Sequence, residues 1–165
     1  MEKNLILTAS QVNQKIKRMA FEVYEHNFRE KEVVFAGIEG QGYTLATLLA
    51  RQLEEISDIK AKVVKIGIDK SAPLQSEIQL DAEPSSFKKK VVIVVDDVLN
   101  TGKTFAYALK PFLTVEVKKL EVAVLVNRSH SLFPIQPTYT GYGLSTTLTE
   151  HIEVILGKQA AVYLH

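Results

Sequence analysis

A run of five β-branched residues at positions 91–95 ends on two adjacent carboxylates, Asp96 and Asp97, and the chain then turns through Asn100, Thr101, Gly102, Lys103 and Thr104. A strand with one wet face alternates apolar with polar residues, so a run without alternation is covered on both faces and belongs near the centre of a sheet. The acids mark where that strand leaves the core. Behind them, the Thr-Gly-Lys-Thr turn opens a helical segment, with backbone N–H groups, two hydroxyls and a glycine that admits a ligand close to the main chain. That combination suits a phosphate. The paired acids suit hydroxyls: they can accept hydrogen bonds from vicinal ribose hydroxyls or stand near a divalent ion that bridges sugar and pyrophosphate. Gly-Lys-Thr also occurs in nucleoside-triphosphate loops, but those require a glycine five positions before Gly102, and Asp97 stands there.

Around this segment, strand and helix patterns alternate. The spacing of Val12, Ile16, Met19, Ala20 and Val23 predicts a helix from Ser10, with Ser10 as its cap. Residues 33–38 read as a buried strand, and Gly37, Gly40 and Gly42 interrupt it before Leu45, Leu48, Leu49 and Leu53 resume helical spacing. Further strands are expected at 62–68 and 120–126, a weak one at 78–80, a helix at 105–113, and a closing hairpin of 152–156 with 160–164. This order predicts an α/β fold, a parallel sheet with helices on both faces and its ligands at the carboxyl ends of the strands. At 165 residues the chain is expected to form one domain.

Composition removes several classes of chemistry. The chain has no cysteine, which excludes a disulfide scaffold, a thiolate metal site and a cysteine nucleophile. Its formal charge of +1 supplies no bulk field for nucleic acid or an anionic membrane. The apolar runs are too short to cross a bilayer and the amino terminus too weakly apolar for a secretory signal, so a soluble, cytoplasmic protein is expected.

The stretch Val-Val-Ile-Val-Val-Asp-Asp-Val-Leu-Asn-Thr-Gly-Lys-Thr resembles the phosphoribosyl-pyrophosphate signature of type I phosphoribosyltransferases. Ile6-Leu7-Thr8, Ala36-Gly37-Ile38 with Gly42, and residues 125–130 with Pro134, Ile135, Pro137, Tyr139 and Gly141 are similar to the pyrimidine-operon attenuator/uracil phosphoribosyltransferase subgroup. The resemblance implies a Rossmann-like core over about residues 10–127 and a small hood from about 128–165 together with the N-terminal segment. It implies transfer of ribose 5-phosphate from phosphoribosyl pyrophosphate to a nucleobase, a pyrimidine such as uracil, in nucleotide salvage. Its cofactor would be Mg²⁺, held mainly through the donor near Asp96 and Asp97, and its assembly a homodimer or larger homo-oligomer.

By the same resemblance, Asp96, Asp97 and Asn100 are the candidate catalytic residues. Asn100, Thr101, Gly102, Lys103 and Thr104 would cradle the 5′-phosphate. Glu39, Gly40, Gln41 and Gly42 would receive pyrophosphate, with a cis peptide bond on one side of Glu39. Asn127, Tyr139 and Thr140 would meet the base. The chain also departs from its subgroup. Glu39 and Gln41 stand where basic residues are usual, Lys70 and Ser71 replace a tyrosine–arginine pair in the segment 69–73, and Asn100 stands where purine-using relatives carry an aspartate. Ser129, Ser131, Leu132, Phe133, Gln136 and Thr138 leave the hood largely neutral, so RNA is not expected as a partner. The alternative to an active transferase is a catalytically weak, nucleotide-binding regulator of pyrimidine metabolism.

Overall fold

The computed structural model describes residues 2–71, 74 and 77–165. Strand β1 (Asn4–Leu7) leads into α1 (Ala9–Asn27), β2 (Glu32–Ile38), α2 (Gln41–Ile56), β3 (Lys60–Gly67) and the short β4 (Gln79–Leu80). There follow β5 (Val91–Leu99), α3 (Lys103–Ala108), β6 (Lys119–Asn127), β7 (Tyr139–Gly143), β8 (Ile152–Ile155) and β9 (Ala161–Leu164), with 3-10 turns at Pro84–Phe87 and Lys110–Leu113.

The main sheet has the order β4-β3-β2-β5-β6-β7, parallel throughout except at the edge strand β4. Flanked by β2 and β6, β5 is central, and its apolar run is covered on both faces. Val91, Ile93 and Val95 pack with α1 and α2, whereas Val92 and Val94 pack with Phe87, Phe105 and Phe112 on the other face. A strand with no wet face has no use for polar alternation, which is why its sequence shows none.

The amphipathic stripe of α1 buries Val12, Ile16, Met19, Ala20 and Val23 as expected, but its cap is Thr8 rather than Ser10. Thr8 Oγ1 accepts from the Gln11 backbone N–H, and Gln11 Oε1 accepts from the Thr8 N–H, a reciprocal box that satisfies two otherwise orphaned donors. Helix α2 starts at Gln41, ahead of its first leucine, and the expected helix 105–113 is divided, with α3 ending at Ala108 and Pro111 lying in the following 3-10 turn. Proline has no N–H to continue an α-helix, so its interior cannot run through that position unbroken.

The chain's two ends meet in a second, antiparallel sheet of order β1-β9-β8. Residues 139–143, expected in the hood, instead pair in parallel with β6 and form the edge of the main sheet. No helix among the described residues is long and apolar enough to cross a membrane.

Candidate functional site

Because β2 and β5 are neighbours and parallel, the turns that follow them emerge side by side at the carboxyl end of the sheet. The end of β5 and the turn after it line a cavity of about 240 Å³ with Asp96, Asp97, Asn100, Thr101, Gly102, Lys103 and Thr104, so one strand delivers both the acids and the phosphate-type loop. Val98, Leu99 and Phe105 add apolar surface, and Lys70 and Ile152 reach the wall from elsewhere in the chain, Ile152 from the second sheet.

Local backbone chemistry explains the loop's shape. Gly102 has φ +88°, a left-handed conformation that side chains resist, and a Cβ there would stand 3.3 Å from Ile135 and from the Phe133 carbonyl. The Thr101 carbonyl accepts from the N–H groups of Leu132 and Phe133, while Thr101 Oγ1 accepts from the Lys103 N–H. The loop is thereby tied from behind to residues 132–133.

Asp96 is the most enclosed of the acids, with 3% of its surface exposed. Its Oδ1 accepts from the Asp97 N–H at 2.9 Å, and its Oδ2 is 2.9 Å from Lys70 Nζ. Burial first, and the neighbouring Asp97 second, push its carboxyl up to about 7, against the opposing pull of Lys70. Asp97 is half-buried, and its Oδ1 accepts from the Val98 N–H.

The turn after β2 reaches this acid through Gly42. A Cβ at Gly42 would lie 2.7 Å from Asp96 Oδ1 and 2.8 Å from the Val95 carbonyl, so only glycine fits there. Glu39, Gly40 and Gln41 lie outside the cavity wall. Glu39 is exposed, and its N–H donates to the Ile66 carbonyl. The expected cis bond beside Glu39 is corrected: no peptide bond among the described residues is cis, and the chain reverses instead through Gly40, at φ 95° and ψ −135°.

The three residues expected at the base do not line the cavity. Tyr139 is fully buried between α1 and β6, its hydroxyl donating to Glu121 Oε1 at 3.0 Å and accepting from Asn27 Nδ2 at 3.3 Å. A ring with no exposed face cannot stack on a ligand, so that role is withdrawn. Burial, and then the Glu121 charge, push its hydroxyl pKa well above the ordinary tyrosine value. Thr140 pairs with Val124 along β6, and Asn127 Oδ1 accepts from the Ser129 N–H. Of the segment 69–73, Ala72 and Pro73 lie outside the described residues.

Two participants were not among the site residues expected from the sequence. Ile152 enters the wall only because the second sheet folds over the first. Arg128, nine-tenths buried, reaches back to Asn100. Among the described residues no cluster of three histidine or carboxylate side chains could cage a metal. The adjacent carboxylates of Asp96 and Asp97 do fit a magnesium ion that takes most of its oxygen ligands from a bound polyphosphate.

The phosphoribosyl transferase domain family matches residues 4–154. A bifunctional protein pyrR of Enterococcus faecalis is 32% identical over 160 residues, covering 93% of this chain and 90% of the relative. A bifunctional protein PyrR of Latilactobacillus sakei is 34% identical, covering 84% and 83% respectively. Among solved structures, a hypoxanthine phosphoribosyl transferase of Trypanosoma cruzi superposes with TM-score 0.76 at 15% identity, covering 87% of this chain and 78% of that one. A hypoxanthine-guanine phosphoribosyltransferase of Bacillus anthracis gives TM-score 0.72 at 18% identity, covering 87% and 84%. At such identities the structural likeness speaks for the fold alone.

Proposed function

The chain belongs to the phosphoribosyl transferase family and is an enzyme of that class, and we propose that it transfers ribose 5-phosphate from phosphoribosyl pyrophosphate to a pyrimidine such as uracil. The observation that carries this reading is the single cavity into which the central strand brings two acids and a threonine-flanked loop. At about 240 Å³ it is smaller than the roughly 300–1,000 Å³ of pockets that enclose a whole drug-sized ligand, so it suits the sugar-phosphate part of the donor.

In this reading Thr101 and Thr104, with the backbone of residues 101–104, hold the 5′-phosphate, and Lys103 adds positive charge. Asp96 and Asp97 accept hydrogen bonds from the ribose hydroxyls. Lys70 must leave Asp96 as those hydroxyls arrive, which frees its ammonium for the pyrophosphate. The first-turn N–H groups of α2, which lack intrahelical acceptors, would receive the same leaving group. Magnesium, held by the donor's oxygens beside Asp96 and Asp97, would neutralise the departing pyrophosphate. The protein's contribution is positioning: the anomeric carbon gains positive charge as its bond to pyrophosphate stretches, and two carboxylates stand by the same sugar. Asn100 can bond a base but cannot remove its proton at neutral pH, which disfavours the purine mechanism.

The second reading, a nucleotide-binding regulator with weak turnover, is favoured by one feature: exposed Glu39 opposes the approach of pyrophosphate. The resemblance to the subgroup supports a cytoplasmic homo-oligomer, and the neutral segment 129–138, where the subgroup is basic, argues against RNA as a partner. Uracil, hypoxanthine, guanine, xanthine and orotate, each incubated with phosphoribosyl pyrophosphate and magnesium, separate the readings by pyrophosphate release. Release with uracil supports transfer. No release with any base, while the donor still binds, overturns it in favour of the regulator.

A further inference from the structure

Arg128 sits at the end of β6 with 9% of its surface exposed, and its guanidinium spreads four hydrogen bonds. Nε donates to Thr146 Oγ1 at 2.9 Å, and Nη2 donates to the carbonyls of Thr147 at 3.2 Å and Glu150 at 2.7 Å. Nη1 donates to Asn100 Oδ1 at 2.8 Å. No carboxylate among the described residues forms an ion pair with it. Three bonds fix the guanidinium to the segment 146–150, and the fourth fixes Asn100.

That fourth bond determines which end of the Asn100 amide meets a ligand. Guanidinium has donors and no acceptor, so the atom facing it must be the amide oxygen. The NH₂ end is then the one left to the ligand. Asn100 is exposed and lines the cavity beside Ile152 and Asp97.

We propose that Arg128 is a specificity-determining positioning residue, holding the Asn100 amide so that its NH₂ donor faces the base beyond the sugar-phosphate cavity and its oxygen is turned away towards Arg128. The identity of that ligand rests on the transferase reading above. A base that brings a carbonyl oxygen beside its reacting nitrogen, as uracil does, meets the donor with a lone pair. A purine that attacks through one imidazole nitrogen carries its hydrogen on the other, and that N–H would face a second donor. Two donors face to face leave both unpaired once the bound base shuts out water, a conflict that costs tenfold or more in affinity. Asn100 with a free side chain could turn its oxygen to such a base; clamped by Arg128, it cannot.

Two measurements test this. Calorimetric titration compares uridine 5′-monophosphate with ribose 5-phosphate, which has the same sugar phosphate and no base. Asn100→Ala and Arg128→Lys should each weaken the nucleotide about tenfold, and Arg128→Lys, which lies outside the phosphate loop, should change ribose 5-phosphate less than twofold. Equal losses for both ligands with Arg128→Lys, or none for the nucleotide with either variant, overturn the proposal. Turnover supplies the second readout. Asn100→Asp, which offers only acceptors, should raise the ratio of kcat/KM for hypoxanthine over uracil at least tenfold; an unchanged ratio overturns the proposal. If Arg128→Lys fails to fold by circular dichroism, the two exposed-site Asn100 variants decide. If the wild type ribosylates no base, the transfer reading falls while the titration still settles the amide's role.

Discussion

Replacing Asp96 by asparagine should make the unliganded protein more stable while removing its ability to bind the donor. Asp96 is almost fully enclosed, and its carboxyl, which in an unfolded chain loses its proton near pH 3.8, does so at about 7 in the fold. A raised folded value means that the fold favours the protonated form. The associated stability is therefore fully present below the unfolded value and is lost as pH rises through the folded one. Each tenfold preference is worth about 1.4 kcal/mol, so enclosing this carboxyl costs about 4 kcal/mol at pH 8, where it is ionised in the fold, and about 2 kcal/mol at pH 5, where the fold keeps it protonated. Asparagine keeps the shape and the oxygen that accepts from the Asp97 N–H, and half-exposed Lys70 returns to water. Urea denaturation of both proteins at pH 5 and pH 8 measures the difference. The variant should be the more stable at both, with an advantage that grows by about 2–3 kcal/mol between them. A variant no more stable than wild type at pH 8, or an advantage independent of pH, refutes the reasoning.

Gly42→Ala would push a methyl into Asp96 Oδ1 and the Val95 carbonyl, and a loss of about 1–3 kcal/mol with weakened donor binding is expected from thermal melting and calorimetry. Tyr139→Phe removes a buried hydroxyl that serves Glu121 and Asn27; it should cost about 1–3 kcal/mol in urea and leave the affinity for uridine 5′-monophosphate within twofold of wild type, whereas a large loss of nucleotide affinity at unchanged stability would restore the ring to the base site.

The sequence announced the core of the site because everything there is local. The buried strand, its two acids and the Thr-Gly-Lys-Thr turn are consecutive, and the strand's missing alternation follows directly from having helices on both faces. What it concealed is the work of residues far apart in the chain. Tyr139 follows a proline-rich stretch, and the resemblance sets it against the base; only the parallel pairing of β7 with β6 turns it inward against α1. The Arg128–Asn100 bond crosses 28 positions and the Lys70–Asp96 pair 26, and neither spacing is a motif. Thr8 was hidden as a cap because apolar periodicity marks where a helix is buried, not where its first N–H groups find acceptors. Glycines at 40 and 42 read alike in sequence, yet one reverses the chain and the other makes room for a carboxylate.

The donor's position in the cavity is the most direct measurement, made on crystals grown with phosphoribosyl pyrophosphate and magnesium. The 5′-phosphate should rest on residues 101–104, the ribose hydroxyls should lie about 3 Å from Asp96 and Asp97, and Lys70 should have left Asp96. A donor bound with its sugar away from the two acids, or its phosphate off that loop, would contradict the account.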